Sequence, residues 1–327
     1  MTGSGPGWRP VAALTTLQAR ANLLAQIRAW FREAGVMEVE TPFLSPAAVS
    51  DPAVESFVTR YTGPDAGNGR DLYLHTSPEF PMKRLLAAGS GPIYQICRVF
   101  RNGESGRYHN PEFTLLEWYR PGYDHRRLMD EVADLVQRLV PGPLPETRIT
   151  YGELFRQRLA IDPHTCSLPA LRQAAQAAGV PGAAELELAE RDAWLDLLMV
   201  HCIEPGLPQG LCFIYDYPAS QASLARVRPG EPPLAERFEL YLDGLELANG
   251  FHELRDAGEQ RRRFLGELER RQAAGMARPP LDENFLSALE AGLPACAGVA
   301  LGIDRLLMRL TGCGHIDRVM AFPLSRA

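Results

Sequence analysis

The chain has 327 residues, 46% hydrophobic and 23% charged, enough for a sizeable core in one large domain or two ordinary ones. With 34 basic and 40 acidic side chains and a net charge of −6, it argues against a mainly electrostatic nucleic-acid binder, while a local basic pocket stays compatible. Its six cysteines form no CxxC pair, which weakens zinc and thioredoxin-like readings and points to reduced thiols in the cytoplasm. No apolar signal region and no run of about 18 apolar residues occurs, so neither a signal peptide nor a transmembrane helix is predicted.

In chain order, residues 1–16 read as a flexible arm rich in Gly and Pro. Leu17 to Phe31 is an amphipathic helix that Gly35 ends as a left-handed cap. GVMEVETPFL follows as an alternating stretch, and Pro42 marks it as an edge or an interface. Residues 43–70 look loop-rich. Leu72 to Thr76 is a short strand, and a helix runs through MKRLLAAG.

Tyr94 to Tyr119 reads as strand, polar loop, strand. Its Arg101, Arg107 and His109 suit a polyanion, because Arg presents a charged planar fork to phosphate. A surface hairpin whose charges meet only water is the competing reading.

Asp124 to Val140 is a clean amphipathic helix, and residues 150–203 form a helical insertion. Leu211 to Tyr215 is a buried strand. Two further strands flank an Asp243–Gly244 hairpin turn. Ala257 to Arg271 reads as a charged, solvated helix. Val299 to Leu301 is an apolar strand, and Asp304 to Leu310 is the last helix. Hairpins without regular βαβ alternation indicate an α+β fold with a mainly antiparallel sheet flanked by helices.

The common nucleotide and hydrolase motifs are missing. There is no GxxxxGK[ST], no GxGxxG and no GxSxG, and His252–Glu253 fails HExxH at Asp256. A nucleotide enzyme on this chain must grip phosphate with arginines and a metal. Glu239 and Glu246, seven apart across the turn, can share one sheet face. Two carboxylates with phosphate oxygens is a common Mg²⁺ arrangement; two surface glutamates is the plain alternative. Gly250 in ELANGFHEL suggests close backbone approach by a ligand.

Together, three segments carry a resemblance. GVMEVETPFL resembles motif 1 of the class II aminoacyl-tRNA synthetases, VFRNGESGRYHNPEF resembles motif 2 and GVALGIDRLLM motif 3; TSPEFPMKRL, LLEWY and LELANGFHEL are similar to the lysyl branch. The resemblance spans residues 17–327 as one catalytic domain. It implies ATP and Mg²⁺, with Arg101 and Arg305 as catalytic arginines. Arg101 would hold the α-phosphate, and His109 and Arg305 the outer phosphates. Phe113 would stack under adenine; Asn102, Gly103, Asn110, Leu247 and Gly302 would complete the nucleotide site. Glu239 and Glu246 would hold the metal. Glu79 would take the amino group near the reacting end of the amino acid and Glu253 and Tyr119 its far ammonium, with Ser77, Pro78 and Asn249 also binding the substrate. A homodimer through Gly35–Leu44 is implied.

Only 16 residues precede the motif 1 helix, where a lysyl-tRNA synthetase has an anticodon-binding domain. That departure, with RYHNPEFTLLEWYRP and SQASLA, makes the chain similar to the elongation factor P lysine ligase family. The expected reaction is then ATP-dependent activation of (R)-β-lysine, or lysine, and its transfer to a lysine ε-amine of elongation factor P, with tRNA as an unexpected partner. A tRNA- or carrier-charging enzyme and a non-catalytic amino-acid-binding regulator are the alternatives. Ala300, where lysyl synthetases have glycine, is expected to shape the amino-acid pocket. Gly103 stands where motif 2 has its adenine-reading glutamate, with Glu104 next to it.

Overall fold

The structure is a computed structural model describing residues 7–327. Residues 1–6 of the expected arm lie outside the described residues. The rest of that arm is shorter than expected, because the first helix is Leu14–Glu33. Leu14 is 78% exposed, so it adds nothing to the apolar stripe from which a helix start is read. The buried stripe is Leu23, Ile27 and Phe31. Gly35 does stand at φ +66° just past the helix, where glycine carries no Cβ penalty.

The chain divides into two compact units, one of residues 1–122, 255–296 and 300–327 and the other of residues 123–254 and 297–299. In the first, Met37–Glu38 pairs in parallel with Ile93–Phe100, which pairs antiparallel with Glu112–Pro121. Phe31 stacks on Tyr94 at 4.2 Å, and the Tyr94 hydroxyl donates to Glu38 at 2.9 Å. These contacts lock the first helix to the motif 1 strand. A separate antiparallel sheet is built of Leu44–Ser45, Arg70–Leu74 and Val58–Tyr61; its middle strand overlaps the expected Leu72–Thr76, and the other two fall in the stretch expected to be loop. Val58–Tyr61 is exposed along its length, so no alternation betrays it.

The helix Ala257–Ala273 is not simply solvated. Gln260, Phe264, Leu268 and Arg271 are buried along it. Arg271 pairs with Glu55 and donates to the carbonyls of Asp51 and Ala277. Phe264 and Phe80 both lie against Phe285.

In the second unit, Leu211–Pro218 pairs in parallel with Glu146–Thr150 and antiparallel with Leu234–Leu242. Leu234–Leu242 in turn pairs with Leu245–His252 across a tight turn. Asp243 and Gly244 both have positive φ, 51° and 78°, the two-residue geometry that fits strand twist. Tyr151–Leu159, Leu168–Ala177 and Arg191–Leu198 form the expected helical layer, and a π-helical turn, Met199–Ile203, continues the last. They bury Phe155, Leu171, Trp194 and Leu198 against Cys212 and Ile214. Among the described residues, no helix is long and apolar enough to cross a membrane.

Three sequence-distant segments of the first unit meet at Asp304, which is 1% exposed. Its carboxylate accepts from Arg20 of the first helix and, at 2.6 Å, from the backbone N–H of Thr114. Arg20 also donates to the carbonyl of Val319 at 2.9 Å. Removing one member of a buried pair leaves an uncompensated charge. Asp304→Ala should therefore lose about 3 kcal/mol of stability, read from the urea midpoint at unchanged slope; a loss within the scatter of surface substitutions would refute the assignment.

Candidate active site

The first unit supplies a cationic cluster on the hairpin. The long loop between Ile93–Phe100 and Glu112–Pro121 is pinned at its root, where Asn102 N–H donates to Glu55 O at 2.7 Å and Arg101 N–H to Pro111 O at 2.8 Å. Arg101 donates from Nε to Thr76 O at 3.3 Å, and its guanidinium sits 5.2 Å from the Phe113 ring centre. The expected phosphate-binding arginine and adenine-stacking ring are thus brought together. Gly103 adopts φ +83°, a backbone region that a glutamate enters only with strain. Glu104, one residue on, reaches Arg101 at 3.8 Å.

His109 and Arg305 are also joined. Arg305 Nη2 lies 2.8 Å from His109 Nε2, and Arg305 Nε donates to Tyr108 O at 3.4 Å. Burial, then the Arg305 charge, pushes the His109 pKa below its ordinary 6.5. The ring is therefore neutral at pH 7 and accepts from the guanidinium. A Cβ built on Gly302 would meet the Arg305 stem at 3.7 Å, an ordinary van der Waals contact, so Arg305 does not itself require a glycine there.

Asn110 is buried, with Nδ2 donating to Glu112 O at 2.6 Å and Oδ1 accepting from Leu324 N–H at 3.2 Å. These bonds use one donor and one acceptor position of the amide, so Asn110 braces the loop and keeps a second of each. Glu79 likewise already holds an ammonium: Lys83, buried, lies 2.6 Å from its Oε1. Ser77 Oγ accepts from Glu79 N–H at 3.3 Å, and Pro78 is the N-cap of that helix.

Tyr119 is buried and donates to Glu117 Oε1 at 2.6 Å. Glu117 was not among the residues singled out from sequence. Set in the apolar run TLLEWY, it looks like an ordinary outward strand position, yet it is 3% exposed. Only its burial exposes it, because a carboxylate is not desolvated without partners. Ala300 packs with Phe113 against Cys97, Val99 and Leu115.

The second unit supplies carboxylates. Glu239 stands opposite Asn249, and Glu246 opposite Tyr241, because the register shifts between Leu240 and Tyr241. Glu239 and Tyr241 share a face by alternation, so Glu246 joins them on it; buried Leu247 takes up the shift. Glu239 Oε1 accepts from Arg237 at 2.5 Å and from Asn249 at 3.3 Å, and its Oε2 from the Tyr241 hydroxyl at 2.8 Å. A carboxylate has about four acceptor positions, so one remains on Oε2. The pair fits Mg²⁺ with Glu239 as a single-oxygen ligand and Glu246 as the other. Asn249 Oδ1 is buried without a hydrogen-bond partner, an acceptor that calls for a donor from a ligand. Glu253 is 2% exposed at the end of the same ribbon, bridged to Ala225.

The family model for class II tRNA synthetases (D, K and N) matches residues 8–326. The chain belongs to that family. This class II chain is 51% identical over 321 residues to a Vibrio cholerae protein named elongation factor P--(R)-beta-lysine ligase, covering 98% of each. Proteins of the same name from Vibrio vulnificus and Klebsiella pneumoniae are each 49% identical, over 97% and 98% of this chain and 98% of their own length. The α+β class expected from the sequence is that of the family.

The Arg305–His109 contact predicts a titration. With the guanidinium removed by Arg305→Gln, the His109 pKa rises toward 6.5, seen by NMR of the ring protons. An unmoved titration refutes the contact. In the unaltered protein the unfolded chain binds this proton first as pH falls, so the contribution of His109 lowers stability below pH 6.5 and is silent above it.

Proposed function

We propose that the chain activates (R)-β-lysine with ATP as an adenylate and transfers it to a lysine ε-amine of elongation factor P. The observation that carries this is similarity over nearly the full length to relatives of that name. The side chains of both units support it.

The substrate carboxylate attacks the α-phosphorus and pyrophosphate leaves. The acceptor ε-amine then attacks the carbonyl of the adenylate, an amide forms, and AMP leaves with the bonding pair. No side-chain nucleophile is needed, so catalysis is positioning and charge stabilisation. Arg101, braced by Thr76 O, neutralises the charge that builds on the α-phosphate, and Phe113 offers its other face to adenine. Arg305, steadied by neutral His109, takes the leaving phosphates. Mg²⁺ held by Glu239 and Glu246 supplies charge neutralisation when bound. In the second unit, Asn249 Oδ1 is an acceptor for the amino group near the reacting end and Glu253 a carboxylate suited to an ammonium; in the first, Tyr119 with Glu117 is suited to the far ammonium. Glu79 assists through its pair with Lys83.

Incubating the protein with ATP, labelled (R)-β-lysine and either elongation factor P or bulk tRNA tests the reading. Label should enter the protein; label in RNA, or no pyrophosphate release, overturns it. Arg101→Ala should slow pyrophosphate exchange roughly 10²–10³-fold, the usual result of losing a charge-stabilising donor.

The Gly35–Leu44 segment is proposed as a homodimer face. Met37, Phe43 and Leu44 are exposed there beside a groove lined by Pro42, Thr59 and Ile96, and apolar exposure of this kind marks an interface. Phe43→Asp should shift the mass measured by light scattering from dimer to monomer; a monomer before substitution refutes the proposal.

A further inference from the structure

The second unit holds a cluster that the proposed chemistry does not use. His125, Glu236 and His252 each offer a ligand atom, and the three atoms lie within 4.8 Å of one another. They come from three elements: the first residue of the helix His125–Leu139 and the strands Leu234–Leu242 and Leu245–His252. Glu236 and His252 follow the Arg237–Phe251 pair by one step. By alternation they point away from the face that carries Glu239 and Asn249, so this is not the candidate active site.

His125 is 2% exposed, and neither ring nitrogen has a hydrogen-bond partner. A buried imidazole with nothing to bond is costly. Its Nε2 is 3.4 Å from Asp216 Oδ1, which is also without a hydrogen bond. Carboxylates beside a ring in this way orient metal-bound histidines. His252 Nδ1 lies 2.7 Å from Glu236 Oε2.

From this geometry we infer that His125, Glu236 and His252 form a site for a divalent transition metal of the zinc type. Two imidazoles and a carboxylate select zinc or cobalt over Mg²⁺, which prefers all-oxygen shells.

Three guanidiniums stand near by. Arg228 lies 2.9 Å from Asp216 and 3.5 Å from Glu236; Arg226 lies 3.6 Å from Glu236, and Arg126 3.4 Å from Asp216. Their repulsion weakens the site relative to an isolated set of the same ligands. The ion's role is to tie the helix start to both strands, so its effect is on stability.

The test uses chelator-treated full-length protein. Co²⁺ should bind at one equivalent, with visible bands of a nitrogen–oxygen set and no thiolate charge-transfer band. His125→Gln and His252→Gln should each weaken Co²⁺ roughly tenfold or more. In the unaltered protein, Zn²⁺ should shift the ring signals of two histidines by NMR and raise Tm by about 5 °C at roughly a hundred times Kd; Mg²⁺ should shift no histidine signal. No histidine shift with Zn²⁺, thiolate bands, or Co²⁺ affinity unchanged in folded variants would overturn the site. Should a variant fail to fold, the histidine signals of the unaltered protein decide.

Discussion

The buried carboxylate of Asp304 is the constraint that joins the first helix, the hairpin and the last helix, and Arg305 takes its position from it. It receives Arg20 from the first helix and the Thr114 N–H from the hairpin, and it begins the last helix itself. A charge desolvated to this degree holds only while every donor is in place. Three segments 94 to 284 residues apart in sequence are therefore fixed together by one group. Arg305 follows Asp304 directly, so its aim at His109 is inherited from that junction. Arg101 is held separately, from Thr76 and Pro111.

The same economy of charge recurs in the second unit. Arg237 is half-buried, donates to Glu239 and to the carbonyl of Gln221, and lies 4.6 Å from the Tyr217 ring centre. It lowers the cost of burying Glu239 and leaves that carboxylate one acceptor position for a cation. Preorganisation of this sort is what catalysis without a nucleophile requires. The charged side chains are oriented by one another within the fold.

Much of this was legible in the sequence. The hairpin, the Asp243–Gly244 turn and the helix His125–Leu139 carry strong local signals, and the three motifs named the family. What escaped has physical reasons. Val58–Tyr61 is exposed on both faces, and Glu146–Thr150 pairs in parallel with a strand 65 residues away, Glu146 with Leu211, so neither leaves a local pattern. The Arg271–Glu55 pair spans most of the chain. The bond between Asn110 and Leu324 joins positions 214 apart, so the sequence gives no sign that this amide also braces the loop. Glu117 sat unmarked because an apolar run gives a buried carboxylate the same look as a surface one.

The loop that carries Arg107, His109 and Asn110 leans on the end of the chain. Arg107 donates to Gly314 O, Ile316 N–H to Arg107 O, and Leu324 N–H to Asn110. The stretch 314–324 thus serves as a splint for a segment it does not resemble and that lies some 200 positions earlier. Genetic screens for altered nucleotide affinity would recover changes there, at residues that touch no nucleotide, and these would raise KM for ATP before they lowered the amount of folded protein.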